Sequence, residues 1–217
     1  MKKLFIIILT IPIIVLGQES AEDYYNRGLT KDDLHKYEEA IADYTKSIDL
    51  KPNYAIVYFA RGAAKYSLAS TYGDTTGYPE AIVDFTKAIE LNDSVNETYY
   101  FRGRSKSELY DYSGAIEDYT KAIEVNPNFS DAYFNRGVAK YSLASTYGDT
   151  TGYPEAIVDF TKAIELEPNN PEAYYFRGNA KFVIKNYAEA IADYKKAHLL
   201  GHINAAEELM NLGEFDF

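Results

Sequence analysis

The chain has 217 residues, with 22 Lys and Arg against 33 Asp and Glu, a formal charge of −11, and no cysteine. Without cysteine it has no disulfide framework and no lipid-modified N-terminal cysteine, and its acidity argues against nucleic acid and anionic lipid as partners. A hydrophobic content of 47% with 22 tyrosines excludes a disordered acidic tail.

The N-terminus pairs a basic "MKK" with the apolar run "LFIIILTIPIIVL" and then the small residue Gly17. That pattern predicts a secretory signal peptide over residues 1–17, cleaved after Gly17. A membrane-spanning helix needs about 20 apolar residues, and this run is shorter and contains Pro12. Cleavage removes Lys2 and Lys3, leaving 20 basic against 33 acidic residues, a charge of −13. The expected location is periplasmic or secreted, in a bacterial envelope, with no stable membrane insertion after cleavage.

From residue 21 the chain repeats itself. Five segments begin at 21, 55, 96, 130 and 171, separated by 34, 41, 34 and 41 residues. Each opens like "AEDYYNRG" and closes like "YEEAIADYTKSIDLKPNY". In the first, Tyr24, Gly28, Lys31 and Leu34 fall at helical spacing on one face. Tyr37, Ala40, Ile41, Tyr44, Ser47 and Ile48 then do the same on a second helix. Gly28 and Ala40 are small where the two helices must approach closely, and Pro52 ends the second. One such hairpin cannot bury its own apolar face, so neighbours must stack on it into a solenoid. Residues 64–91 recur letter for letter at 139–166, so one short and one long unit are duplicated as a block.

The 34-residue unit, with Gly at position 8, Ala at 20, Tyr or Phe at 24 and Pro near 32, resembles the tetratricopeptide repeat over residues 21 to about 200. The resemblance implies an all-α, right-handed superhelical solenoid of five helix-turn-helix repeats. The expected repeats are 21–54, 55–95, 96–129, 130–170 and 171–200, in a single domain from 18 to 217. Residues 201–217 are expected to add a capping helix, with Ile203, Ala206, Leu209 and Met210 on its inner face and Glu207, Glu208 and Asn211 outside.

Against the family pattern of leucine at position 7 and tyrosine at 11, every repeat here has arginine at 7 (Arg27, Arg61, Arg102, Arg136, Arg177). Every repeat has lysine at 11 (Lys31, Lys65, Lys106, Lys140, Lys181) and aspartate at 23 (Asp43, Asp84, Asp118, Asp159, Asp193). Positions 7 and 23 come opposite each other in an antiparallel hairpin, which predicts one Arg–Asp bridge per repeat, a ladder of partly buried ion pairs; the functional alternative is a row of arginines offered to an anionic ligand. The long repeats carry seven extra residues, close to two helical turns of 3.6 residues. Their first helix should run on to Thr71 or Tyr72, with "GDTTG" as a turn and Pro79 in the first turn of the next helix. The two projecting tips, with Tyr72, Asp74, Tyr147 and Asp149, are candidate binding knobs, or loop decoration inherited with the duplication.

The family's first helices line a concave groove. Carried over, position 5 supplies Tyr25, Phe59, Tyr100, Phe134 and Tyr175, and position 12 adds Tyr66, Tyr141 and Phe182. Glu22, Asp32, Glu97, Asp131 and Glu172 add negative charge. Asn179 stands at one position 9, but no position 5 is cationic, so the carboxylate-clamping pattern of some family members is not matched. An aromatic, acid-rimmed groove favours a neutral or basic peptide or partner helix; the alternative is that several of these aromatics pack against neighbouring repeats and meet no ligand.

No nucleophile arrangement or phosphate-cradling loop is present. His198 and His202 are four apart but separated by Gly201, with no carboxylate at a ligand spacing, so no metal or other cofactor is expected. "DTT" at 74–76 and 149–151 and "DSV" at 93–95 match a short O-glycosylation signal of some bacterial envelopes. The expected function is a non-enzymatic protein-binding adaptor. The alternative is a binder of small molecules or glycans, or an enzyme, using groove tyrosines, which a closed pocket with converging polar groups would mark.

Overall fold

The computed structural model describes residues 19–92, 94–148 and 150–214. The signal-peptide reading of residues 1–17 and the tip residue Asp149 lie outside them.

The described residues form eleven helices and no strand. They pair as α1 (Ala21–Asp33) with α2 (Tyr37–Leu50), α3 (Ala55–Tyr72) with α4 (Gly77–Leu91), and α5 (Asn96–Glu108) with α6 (Tyr112–Val125). Then follow α7 (Ser130–Tyr147) with α8 (Gly152–Leu166), α9 (Pro171–Val183) with α10 (Tyr187–Leu199), and α11 (Ile203–Asn211). Each helix packs on the one before it, so the hairpins stack in chain order and the core runs along the stack.

Local chemistry sets the helix ends. Ser20 Oγ accepts a hydrogen bond from the Asp23 amide, and Asp23 Oδ2 accepts one from the Ser20 amide, a reciprocal cap on α1. Pro171 opens α9 behind Asn170, whose Oδ1 accepts from the Ala173 amide.

Within each hairpin the helices cross where the sequence is smallest. Ala40, Ala81, Ala115, Ala156 and Ala190 are wholly buried. The glycine at position 8 lies against the ring at position 24: a Cβ on Gly137 would sit 2.7 Å from Phe160 Cε1. Those rings, Tyr44, Phe85, Tyr119, Phe160 and Tyr194, fill the core. Leu34, placed by helical spacing on the inner face, instead caps α1 and is exposed, because the helix ends before it.

The long hairpins depart from the short ones at the tip. Short hairpins turn through His35, Tyr110 and Lys185 at φ of 57°, 62° and 65°, left-handed values that cost a side-chain-bearing residue free energy. Long hairpins turn through Gly73 and Gly148 at φ of 67° and 68°. The extra turn of α3 and α7 buries Ala69 and Ala144, and with them Tyr78 and Tyr153. The equivalent tyrosine of the last short hairpin, Tyr187, is 47% exposed.

The cap differs from its expected orientation. Ala205 and Leu209 are its buried residues, with Leu212 packed beside them, whereas Ile203 and Met210 are exposed. The His202 ring stacks on Tyr175 with centroids 4.0 Å apart and fixes the start of α11. That rotation turns residues 205, 209 and 212, rather than 203, 206 and 210, toward α10.

Deleting residues 70–76 and 145–151 restores five short hairpins in phase, but it puts Ala69 and Ala144 at the left-handed position and uncovers Tyr78 and Tyr153. The deletion made with Ala69→Gly and Ala144→Gly is expected to fold, with a helical circular-dichroism spectrum and a loss of about 1–2 kcal/mol per tip in urea unfolding. An unfolded product would contradict this placement of the insert.

Candidate functional site

One arginine–aspartate pair joins the two helices of each of the five hairpins. In each, Nε donates to one carboxylate oxygen at 2.9–3.0 Å and Nη2 to the other at 2.6–2.7 Å, a two-pronged contact. The aspartates are buried. A buried carboxylate needs full compensation, and a third group supplies it. Lys31, Lys65, Lys106, Lys140 and Lys181 place Nζ 2.8–2.9 Å from the same carboxylates.

The free arm of each arginine reaches the preceding repeat. Nη1 of Arg61, Arg102, Arg136 and Arg177 donates at 3.1 Å to Oγ1 of Thr45, Thr86, Thr120 and Thr161. Thr45, Thr120 and Thr161 pass their own hydrogens to Ile41, Ile116 and Ile157 carbonyls one turn back. Arg27 has no preceding repeat, and its Nη1 donates to Glu19 Oε1 at 2.6 Å. Sequence reasoning missed both the third partner and this cross-repeat bond. The signal was a threonine column at position 25, replaced by Lys195 only in the last repeat, where no arginine follows.

The groove candidates divide. Tyr66 and Tyr100 are buried, which corrects their assignment as ligand-facing rings. Phe101 packs edge-on against both, Phe129 lies tilted against Tyr100, and Arg104 lies over both, 4.9 Å from the Tyr66 centroid and 5.9 Å from that of Tyr100. Burial pushes the Tyr66 hydroxyl up to about 12. Tyr25 and Phe59 are half-buried against Tyr54 and Phe101 of the next turn or repeat. Phe134, Tyr141 and Tyr175 are also half-buried, Tyr175 against the stacked His202 ring, and Phe182 is exposed. Of the acids, Glu22 is paired with Lys51 at 2.8 Å. Asp32 is half-buried, and its burial raises its pKa. Glu97, Asp131 and Glu172 are exposed.

The tips carry the other candidates. Tyr72 and Tyr147 are 70% and 77% exposed. Asp74 Oδ1 accepts from the Thr76 amide, which holds its carboxyl below the usual range. Behind each tip lies a cleft, of about 340 Å³ at the first and 380 Å³ at the second. The floors are Ile41, Leu68 and Ala69, and Ile116, Leu143 and Ala144. The isoleucines come from the preceding repeat, so no single repeat reveals the cleft. Among the described residues no His, Cys, Asp or Glu cluster suits a metal, and no helix is long and apolar enough to cross a membrane.

These features define a helical-repeat scaffold, a stack of hairpins with clefts along the edge of its long tips. The family profile described as TPR repeat matches residues 33–68, 108–143 and 152–184, and the chain is a tetratricopeptide-repeat protein. A crystallised MamA protein, 24% identical, superimposes with a TM-score of 0.71 over 91% of this chain and 97% of its own. MamA from Desulfovibrio magneticus RS-1, 18% identical, gives 0.73 over 84% and 96%. YrrB, described as a TPR protein with an unusual peptide-binding site, is 24% identical and gives 0.72 over 88% and 92%. These likenesses show the fold. No curated protein matches the chain.

Asp118→Ala leaves Arg102 and Lys106 facing an apolar interior unpaired, and is expected to cost about 3–5 kcal/mol in urea unfolding. Because three groups share the charge, Arg102→Met with Asp118→Leu should recover less stability than the triple variant that adds Lys106→Met. Equal stability of the double and triple variants would contradict the shared site. Arg27 foremost, with Lys31, pushes Asp43 down to about 2 from an ordinary 3.8. A lowered folded-state pKa gives stability that is complete above the unfolded value and is lost as pH falls through the folded one. Melting temperature should therefore drop between pH 4 and pH 2, and Asp43→Asn should start lower and flatten that drop.

Proposed function

We propose that the chain is a non-enzymatic adaptor of the bacterial envelope that holds a neutral or basic extended peptide, or a partner helix, along the groove of its first helices. One observation carries this reading. Glu97, Asp131 and Glu172 are exposed on the first helices α5, α7 and α9, and α7 and α9 also carry the half-buried Phe134, Tyr141 and Tyr175 and the exposed Phe182. Aromatic faces hold apolar or extended backbone, and the acids select against like charge in the partner. Repeat proteins of this kind generally act as scaffolds, and the YrrB description includes a peptide-binding site.

A small-molecule or glycan site would need a closed pocket of several hundred Å³. A crevice between Ile56, Phe59, Ala88 and Thr98, among α3, α4 and α5, measures about 60 Å³, and the larger tip clefts are open rather than closed. The envelope assignment rests on the basic, apolar, small-residue pattern of residues 1–17. It predicts that protein recovered from the native envelope begins at Gln18.

Phage-displayed peptides selected on the mature chain are expected to be rich in Lys, Arg and apolar residues. Asp131→Lys with Glu172→Lys should weaken the selected peptides at least tenfold, and raised salt should weaken them in the wild type. Selection of acidic peptides, or binding indifferent to those two substitutions, would contradict the groove reading.

A further inference from the structure

The two tip clefts have one identical wall each, since residues 64–91 and 139–166 are the same. Lys65 and Lys140 stand at their rims, 3.3 and 3.4 Å from Glu80 and Glu155, and are held from below by Asp84 and Asp159 at 2.9 Å. The buried triad therefore brings its net positive charge to the cleft, where one glutamate offsets it. The opposite walls differ. The first cleft is bounded by Glu38 and Ile41 of α2. In α6 the corresponding residues are Ser113 and Ile116. Glu38 and Asp74 form no ion pair among the described residues, so the first rim is left negative around an apolar floor beside the exposed Tyr72 ring.

We propose that each tip cleft docks a protein partner through an apolar side chain adjacent to a lysine or arginine, and that the first cleft binds it more tightly because of Glu38. Three features fit that occupant. The cleft volume suits one large side chain with its neighbours, and the floor of isoleucine, leucine and alanine is apolar and non-directional. The carboxylates at the mouth, Glu38, Asp74 and Glu80 at the first cleft and, among the described residues, Glu155 alone at the second, then meet the flanking cation, with Tyr72 or Tyr147 able to lie against it. The seven-residue insert accounts for the clefts at these two positions. Each arises where a long hairpin rises past the start of the second helix of a short one. The site is separate from the groove, and neither depends on the other.

The test is an NMR titration of the 15N-labelled mature protein with acetyl-Lys-Leu-Lys-amide, with Lys-Ser-Lys and Glu-Leu-Glu analogues as controls. The leucine peptide is expected to shift the amides of Leu68, Tyr72 and Gly77, and those of Leu143, Tyr147 and Gly152. The first set should saturate at several-fold lower concentration. Glu38→Ser should bring the first cleft to the affinity of the second, and Ser113→Glu should raise the second to match the first. Both positions are on the surface at a helix start, so neither change threatens the fold. Tyr72→Ala and Tyr147→Ala should each weaken their own cleft about tenfold. Shifts confined to α7 and α9 groove residues would overturn the cleft proposal while leaving the groove reading intact. Equal binding of the serine peptide would overturn the apolar anchor, and equal binding of the glutamate peptide would overturn the charge assignment.

Discussion

A carboxylate placed in an apolar interior must be met by opposite charge and filled hydrogen-bond sites, or it will not stay ionised there. This molecule places one such aspartate in each of its five hairpins. The arginine fork has a fixed geometry, and it can meet the carboxylate with both prongs at only one alignment of the two helices. That alignment sets the rest of the hairpin. It lays the ring at position 24 on the glycine at position 8 and the alanine at position 20 against the partner helix, where larger residues would clash. Such a network specifies an arrangement more surely than it stabilises one. The stabilising work falls to the buried rings and alanines along the stack.

The same arginines make the stack more than a row of separate units. One arm of each guanidinium leaves its own hairpin and ends on a threonine of the preceding one, so hairpin register and repeat spacing are fixed by a single side chain. At the N-terminal end Glu19 takes the place of the missing threonine. At the other end Lys195 stands where no arginine follows, and its Nζ pairs with Glu214 at 2.8 Å. Insertions are tolerated only where they leave this frame untouched. Seven residues at the hairpin tip add nearly whole turns, so the long hairpins keep both the fork and the threonine contact while rising beyond their neighbours.

Much of the fold was legible because its determinants recur. Helix starts at 21, 55, 96, 130 and 171, the continuation of α3 and α7 to Tyr72 and Tyr147, and the opposition of positions 7 and 23 all follow from period and phase. What stayed hidden depends on neighbours outside the repeat. Position 11 lysine reads as a surface residue until the depth of the aspartate is known. Threonine at 25 reads as helix filler until the next arginine arrives. Tyr66 and Tyr100 stand in columns with groove candidates, but they are covered by Phe101 and by Arg104, an arginine that position 9 carries in one repeat only. The clefts need Ile41 and Ile116 from one repeat and a tip from the next. The orientation of α11 turns on the stacking of His202 upon Tyr175, a contact between rings 27 positions apart that no periodicity announces.

The central claim is that one guanidinium links adjacent repeats as well as its own two helices. A double-mutant cycle between Thr120 and Arg136, using Thr120→Val and Arg136→Met and read by urea unfolding, tests it directly. The account predicts a coupling of about 0.5–1.5 kcal/mol, as for a hydrogen bond to a charged group in a partly buried site. Strictly additive effects of the two substitutions would contradict it.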